Sequence, residues 1–106
     1  MFVTKEYNRQ NALNYAKRWA LDRNPLFFSF NGLGGDCTNF ASQCIFAGGC
    51  VMNYTPTYGW YYISSNDRTP SWSGVAFFYD FITNNKEQGP FAHEATREEM
   101  EPGDVI

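Results

Sequence analysis

Gly34-Gly35-Asp36-Cys37-Thr38-Asn39-Phe40-Ala41-Ser42-Gln43-Cys44 is the stretch on which the reading of this chain turns. The two glycines permit a sharp turn, and Asp36 is a good N-cap for a helix that follows. Cys37, Phe40, Ala41 and Cys44, continued by Ile45, Ala47 and Gly48, recur at helical spacing. Cys37 is therefore expected in the first turn of a helix packed along one face. Unpaired N–H groups and the positive end of the helix dipole favour an anion there, a setting for a reactive thiol. The same cysteine also reads as a small apolar core residue, the usual place of a free thiol. Position alone leaves both open.

Working outward, Tyr7 to Asp22 reads as a first helix. Ala12, Tyr15, Ala16, Trp19 and Ala20 give one wide apolar stripe, with Trp19 as a core anchor. Asn24-Pro25 ends it, because the residue before proline is pushed out of helical geometry. Leu26 to Phe30 is an apolar connector, and Asn31 to Gly35 is a loop by composition. After the helix that begins near Cys37, Gly48-Gly49 are expected to supply the stop. Asn53 to Asp67 is loop-rich with one short strand. Ser71 is read as the N-cap of a third helix, whose stripe of Val75, Phe78, Tyr79 and Ile82 ends near Asn84-Asn85. Glu98, Glu99 and Glu101 form a solvated acidic connector, and Val105-Ile106 starts a strand.

The chain has 106 residues, 43% hydrophobic and 19% aromatic, enough for one small domain over residues 1–106, with no internal repeat. A formal charge of -3 offers no electrostatic footprint for nucleic acid. No apolar run approaches the roughly 20 residues of a membrane span. No apolar core of a secretory signal follows Met1. Three cysteines, an odd number, argue against a disulfide framework and leave Cys44 and Cys50 as expected buried free thiols. The spacing of Cys37, Cys44, Cys50 and His93 matches no common zinc site, so neither metal nor cofactor is expected.

Asp36-Cys37-Thr38-Asn39-Phe40 with Ser42-Gln43 and Gly48-Gly49 resembles the putative amidase domain family of bacterial cysteine hydrolases. Tyr7-Asn8-Arg9, Ala12, Tyr15-Ala16, Trp19-Ala20 and Arg23-Asn24-Pro25 fit in the same order. So do Gly59-Trp60-Tyr61-Tyr62, Ser71-Trp72-Ser73-Gly74 and Gly103-Asp104-Val105-Ile106. The resemblance covers nearly the whole chain. It implies an α+β, papain-like cysteine hydrolase related to cell-wall amidases and peptidases. Residues 1–106 are then its helical N-terminal part, an incomplete domain of about three helices with the sheet beginning at the C-terminus. It also implies a bacterial protein that is secreted or associated with the cell wall.

The implied chemistry is hydrolysis of peptide amide bonds, in peptidoglycan or another peptide substrate, through a Cys37 acyl-enzyme. Helix-start N–H groups, the backbone of Cys37 first, would hold the oxyanion. Asn31 matches the place of an amide side chain that assists there, but reads first as an ordinary loop asparagine. Asp36 and Asn39 belong to the motif as positioning residues. The resemblance puts the catalytic histidine beyond residue 106. His93, the one histidine in the chain, is the other base to consider. Trp60, Tyr61 and Trp72 are candidates for a substrate groove. The alternative is a non-catalytic module that holds wall glycan or peptide on the aromatic loop 54–62, although those rings read equally as the underside of a long loop. A helical half without its sheet is expected to expose apolar surface, such as Phe40, Phe77 or Phe81, and to self-associate.

Overall fold

The computed structural model describes residues 7–20, 22, 24–27, 36–86 and 88–92, with the backbone alone at Asp36. Within them the architecture is α+β. The order is α1 (Arg9–Trp19), α2 (Asp36–Gly49), β1 (Tyr62–Ser64), β2 (Asp67–Arg68), α3 (Pro70–Ser73) and α4 (Val75–Asn84). The expected strand at Val105-Ile106 and the acidic connector lie outside the described residues.

α1 starts where Asn8, in extended geometry, accepts the Asn11 N–H on its side chain at 3.0 Å. That satisfies one of the orphan donors of the first turn. Ala12 is its buried residue. Trp19 is half-buried rather than a core anchor, and the Arg18 guanidinium lies 3.9 Å from the centre of its ring. The cation covers a face that would otherwise meet water.

α1 and α2 run antiparallel. The Asn8 N–H donates to the Gly48 carbonyl at 3.0 Å, while Tyr15 near the other end of α1 donates its hydroxyl to Gln43 Oε1. Gly48 and Gly49 lie inside α2 and do not stop it. The left-handed turn falls on Cys50, with φ 63 and its N–H on the Phe46 carbonyl at 2.7 Å. Gly48 serves packing instead: a Cβ there would run into the Tyr7 ring and stand 2.9 Å from the Asn8 carbonyl oxygen.

The segment after α2 closes on itself before the hairpin. Asn53 and Trp60 form an antiparallel bridge, with both backbone hydrogen bonds at 2.8 Å. Gly59 fills the narrow space inside that loop, against the backbone of Asn53 and Thr55. β1 and β2 then pair antiparallel with Tyr62 opposite Arg68. The expected third helix is two helices, separated where Gly74 takes extended geometry (φ -111, ψ 121). Thr69, not Ser71, is the capping residue, and Pro70 occupies the first turn, where its missing N–H costs nothing. Ser71 is buried, donating to the Gly59 carbonyl at 2.6 Å. α3 lies against α2, and α4 against α3.

The core is aromatic. Trp60 and Trp72 meet at 4.7 Å between ring centres, with Phe81 stacked on Trp60 and Tyr62 tilted against Trp72. Ile45, Met52 and Phe78 complete it, and Phe27 stacks on Trp72 at 5.9 Å. Each such side chain contributes roughly 1.5–3 kcal/mol by leaving water. Phe81 is thus buried and Phe40 half-buried, contrary to the expected exposure, whereas Phe77 is exposed together with Val75 and Tyr79.

Helix propensity alone would have Gly48→Ala stabilise α2 by about 1 kcal/mol. The clash with Asn8 and Tyr7 reverses the sign, and a net loss of about 1 kcal/mol or more is expected. Gly49→Ala meets nothing within 4 Å and is expected to be neutral or stabilising. Urea unfolding of the two variants checks the contrast.

Candidate functional site

Cys37 is the second residue of α2, and its side chain is exposed. It therefore stands outside the core, at a helix start whose N–H groups have no partner one turn earlier. The next residues face the other way. Thr38 and Asn39 are buried, and so are Ser42 and Gln43 one turn on. The expected apolar stripe of Phe40, Ala41 and Cys44 is only half-buried. Ile45 and Gly48 of the same stripe are buried as expected, but most of the buried face of α2 is polar, which the expectation did not include.

The reason is the pair of tryptophans. The Trp72 indole N–H donates to Asn39 Oδ1 at 3.0 Å, and the Ser42 hydroxyl donates to the Trp72 carbonyl at 2.9 Å. The Trp60 indole N–H donates to the same Ser42 oxygen at 3.1 Å. A buried donor left without an acceptor costs about 1–3 kcal/mol, so these polar side chains are what permits two indoles in one core. Among the described residues no buried side-chain nitrogen or oxygen lacks a partner.

Trp60 and Trp72 are fully buried, which corrects their assignment to a substrate groove: neither ring has a face open to a ligand. Tyr61 is half-buried, packed beside Tyr54 at 5.6 Å, and its hydroxyl donates to Asp67 Oδ1 at 3.0 Å. That bond holds the proton on the phenol and raises its pKa. Of the aromatic loop 54–62, Tyr54 and Tyr58 are the exposed rings, while Trp60 and Tyr62 point into the core. Asn39 is buried and accepts the Trp72 indole N–H. Asn31, His93 and the side chain of Asp36 lie outside the described residues. No group of three or more metal-ligating side chains occurs among the described residues.

The other two cysteines differ from each other. Cys50 is exposed, contrary to the expectation of a buried thiol, because the left-handed turn at its backbone carries it past the end of α2. Cys44 is half-buried, and burial pushes its thiol up to about 11. Beside it, Tyr15 accepts from Asn24 Nδ2 at 3.2 Å, and burial raises its phenol as well. Sequence reasoning missed Thr38, Ser42 and Gln43 as buried polar residues. The available signal was Asn39, Ser42 and Gln43 recurring at helical spacing in a chain with three tryptophans that need acceptors.

The sequence model of the family described as Putative amidase domain matches residues 6–106, nearly the whole chain. The chain belongs to that family. Its amidase description suggests a hydrolase role. "Uncharacterized protein YhbB" of Bacillus subtilis (strain 168) is 32% identical over 102 residues, 95% of this chain and 32% of the relative. The chain spans about a third of the length of that curated relative. No solved structure matches the chain. In this member of the Putative amidase domain family, no helix among the described residues is long and apolar enough to cross a membrane.

The exposures order the three thiols. Brief iodoacetamide treatment near pH 8 is expected to label Cys37 and Cys50 first and Cys44 at least about tenfold more slowly, since a thiol that titrates near 11 is thiolate in roughly one molecule in a thousand at that pH. Cys44 labelling should rise steeply only as the pH nears 11. Peptide mapping reads all three sites, and early labelling of Cys44 would contradict its burial.

Proposed function

We propose that this chain carries the nucleophile of a papain-like cysteine amidase that hydrolyses peptide amide bonds of peptidoglycan. The observation that supports it is an exposed Cys37 in the first turn of α2, within a chain of the amidase family. In this reading the Cys37 thiolate attacks the amide carbonyl, and the new C–S bond leaves a tetrahedral oxyanion. Backbone N–H groups of the helix start receive that oxyanion, because no carbonyl one turn earlier occupies them. A histidine protonates the departing amine, then takes a proton from the water that cleaves the acyl-enzyme. Following the resemblance, that histidine belongs to a sheet after Gly103-Asp104-Val105-Ile106 in the longer protein, and residues 1–106 form the helical part of the domain. Asn31 and Asp36 take their assisting roles from the resemblance alone.

The full-length protein incubated with purified peptidoglycan is expected to release new amino groups, and Cys37→Ala to reduce the rate on the order of 10³-fold or more. His93→Ala should leave the activity largely intact, whereas its loss with His93 would make that residue the base. A protein that binds wall fragments equally well with and without Cys37, releases no amino groups, and loses binding on Tyr54→Ala or Tyr58→Ala would be a binding module instead.

A further inference from the structure

We propose that Trp72 is a positioning residue for the Cys37 thiol, acting through a two-point clamp on the first turns of α2. Trp72 donates its indole N–H to Asn39 and accepts the Ser42 hydroxyl on its backbone carbonyl, at 3.0 and 2.9 Å. The two clamped residues are three apart and lie on one side of the helix, on successive turns. A single hydrogen bond would leave α2 free to roll about it. Two bonds of opposite polarity, from one residue to two turns, fix both the roll and the axial position of the helix.

Cys37 is two residues before Asn39, about 200° around the helix. The clamp therefore grips the face opposite the thiol, in agreement with a buried Asn39 and an exposed Cys37. Rolling α2 would carry Cys37 along the surface and change how much of its sulfur is exposed, while the helix-start N–H groups, part of the same helix, move with it. Trp72 itself cannot shift to follow. Its ring is fully buried between Trp60, Tyr62 and Phe27, and its backbone lies in the four-residue α3, which Gly74 closes by donating to the Pro70 carbonyl at 2.8 Å. Trp60 completes the device by donating to Ser42, so the hydroxyl that donates to Trp72 has its own acceptor site filled.

This inference rests on Cys37 being the nucleophile, but its test needs no amidase activity. The alkylation rate of each cysteine is measured against pH in the protein and in two variants. Trp72→Phe removes the indole donor and keeps a ring; Ser42→Ala removes the other contact, together with the acceptor of the Trp60 indole. The exposed Cys50 is the internal standard, and the protected Cys44 reports opening of the fold. Either variant is expected to slow Cys37 alkylation near neutral pH by about three- to tenfold, the range set by one hydrogen bond. The change should be confined to Cys37, with Cys50 unchanged and Cys44 still slow. An unaltered Cys37 profile in both variants would overturn the proposal. So would equal changes at all three cysteines, or loss of folding in both, since each marks a purely structural role. A domain that alkylates as expected but releases no amino groups from peptidoglycan would sink the amidase reading and leave the clamp standing.

Discussion

Two indole N–H groups inside an aromatic core are the constraint on which the arrangement depends. Trp60 and Trp72 are both fully buried, in contact with one another, and neither donor can reach water. α2 supplies the acceptors, Asn39 for one and Ser42 for the other. A helix that must place two polar side chains at two fixed points has little freedom left to rotate. Its buried face becomes polar for that reason, and Cys37 is turned outward as the geometric remainder. Apolar packing alone would have tolerated many rotations of α2, because the hydrophobic effect has no direction.

Other contacts hold the frame around this centre. Gly48 lets the start of α1 approach the end of α2, and the Tyr15 hydroxyl ties the other end of α1 to Gln43 and Asn24. Trp60 is presented to α2 by the Asn53 bridge on one side and by Ser71 on the other, since Ser71 donates to the neighbouring Gly59 carbonyl. Thr69 accepts the Tyr61 N–H at 2.9 Å and joins Ser71 at 3.0 Å, so the chain before α3 is fastened to the chain before β1. The segment 88–92 returns to this frame through Asn53 and Asn85, whose side chains donate to Gln88 and Pro90 carbonyls. These are largely side chain to backbone bonds, the usual means by which a loop-rich region satisfies buried polar groups.

For a hydrolase role the arrangement has one consequence. A nucleophile gains most from being held where the reacting atom will stand, because a small misplacement costs a large factor in rate. A thiol on the first turn of a helix is well placed only if that turn is itself immobile. Here the turn is anchored from behind by buried hydrogen bonds, while the sulfur stays accessible in front. α4 leaves Val75, Phe77 and Tyr79 exposed.

Much of the fold was legible from local signals. The helices α1 and α2 follow from periodicity, which acts within a few residues, although α1 starts only at Arg9, behind an Asn8 cap that was not foreseen. The Asp-Cys-Thr-Asn-Phe motif marked Cys37, and its exposure at a helix start agrees with that reading. What periodicity could not decide was which face of α2 turns inward. Counting apolar positions selected Phe40, Ala41 and Cys44, but the inward face was chosen by hydrogen-bond demand from Trp60 and Trp72, 18 and 33 residues from their acceptors. The same long-range demand moved both tryptophans from a supposed groove into the core. The break at Gly74 was missed because the stripe of Val75, Phe78, Tyr79 and Ile82 lies wholly beyond it and gives no signal there. Local sequence thus determined the helices and placed Cys37 at the start of one, whereas the orientation of Cys37 was decided by buried donors whose acceptors lie far away along the chain.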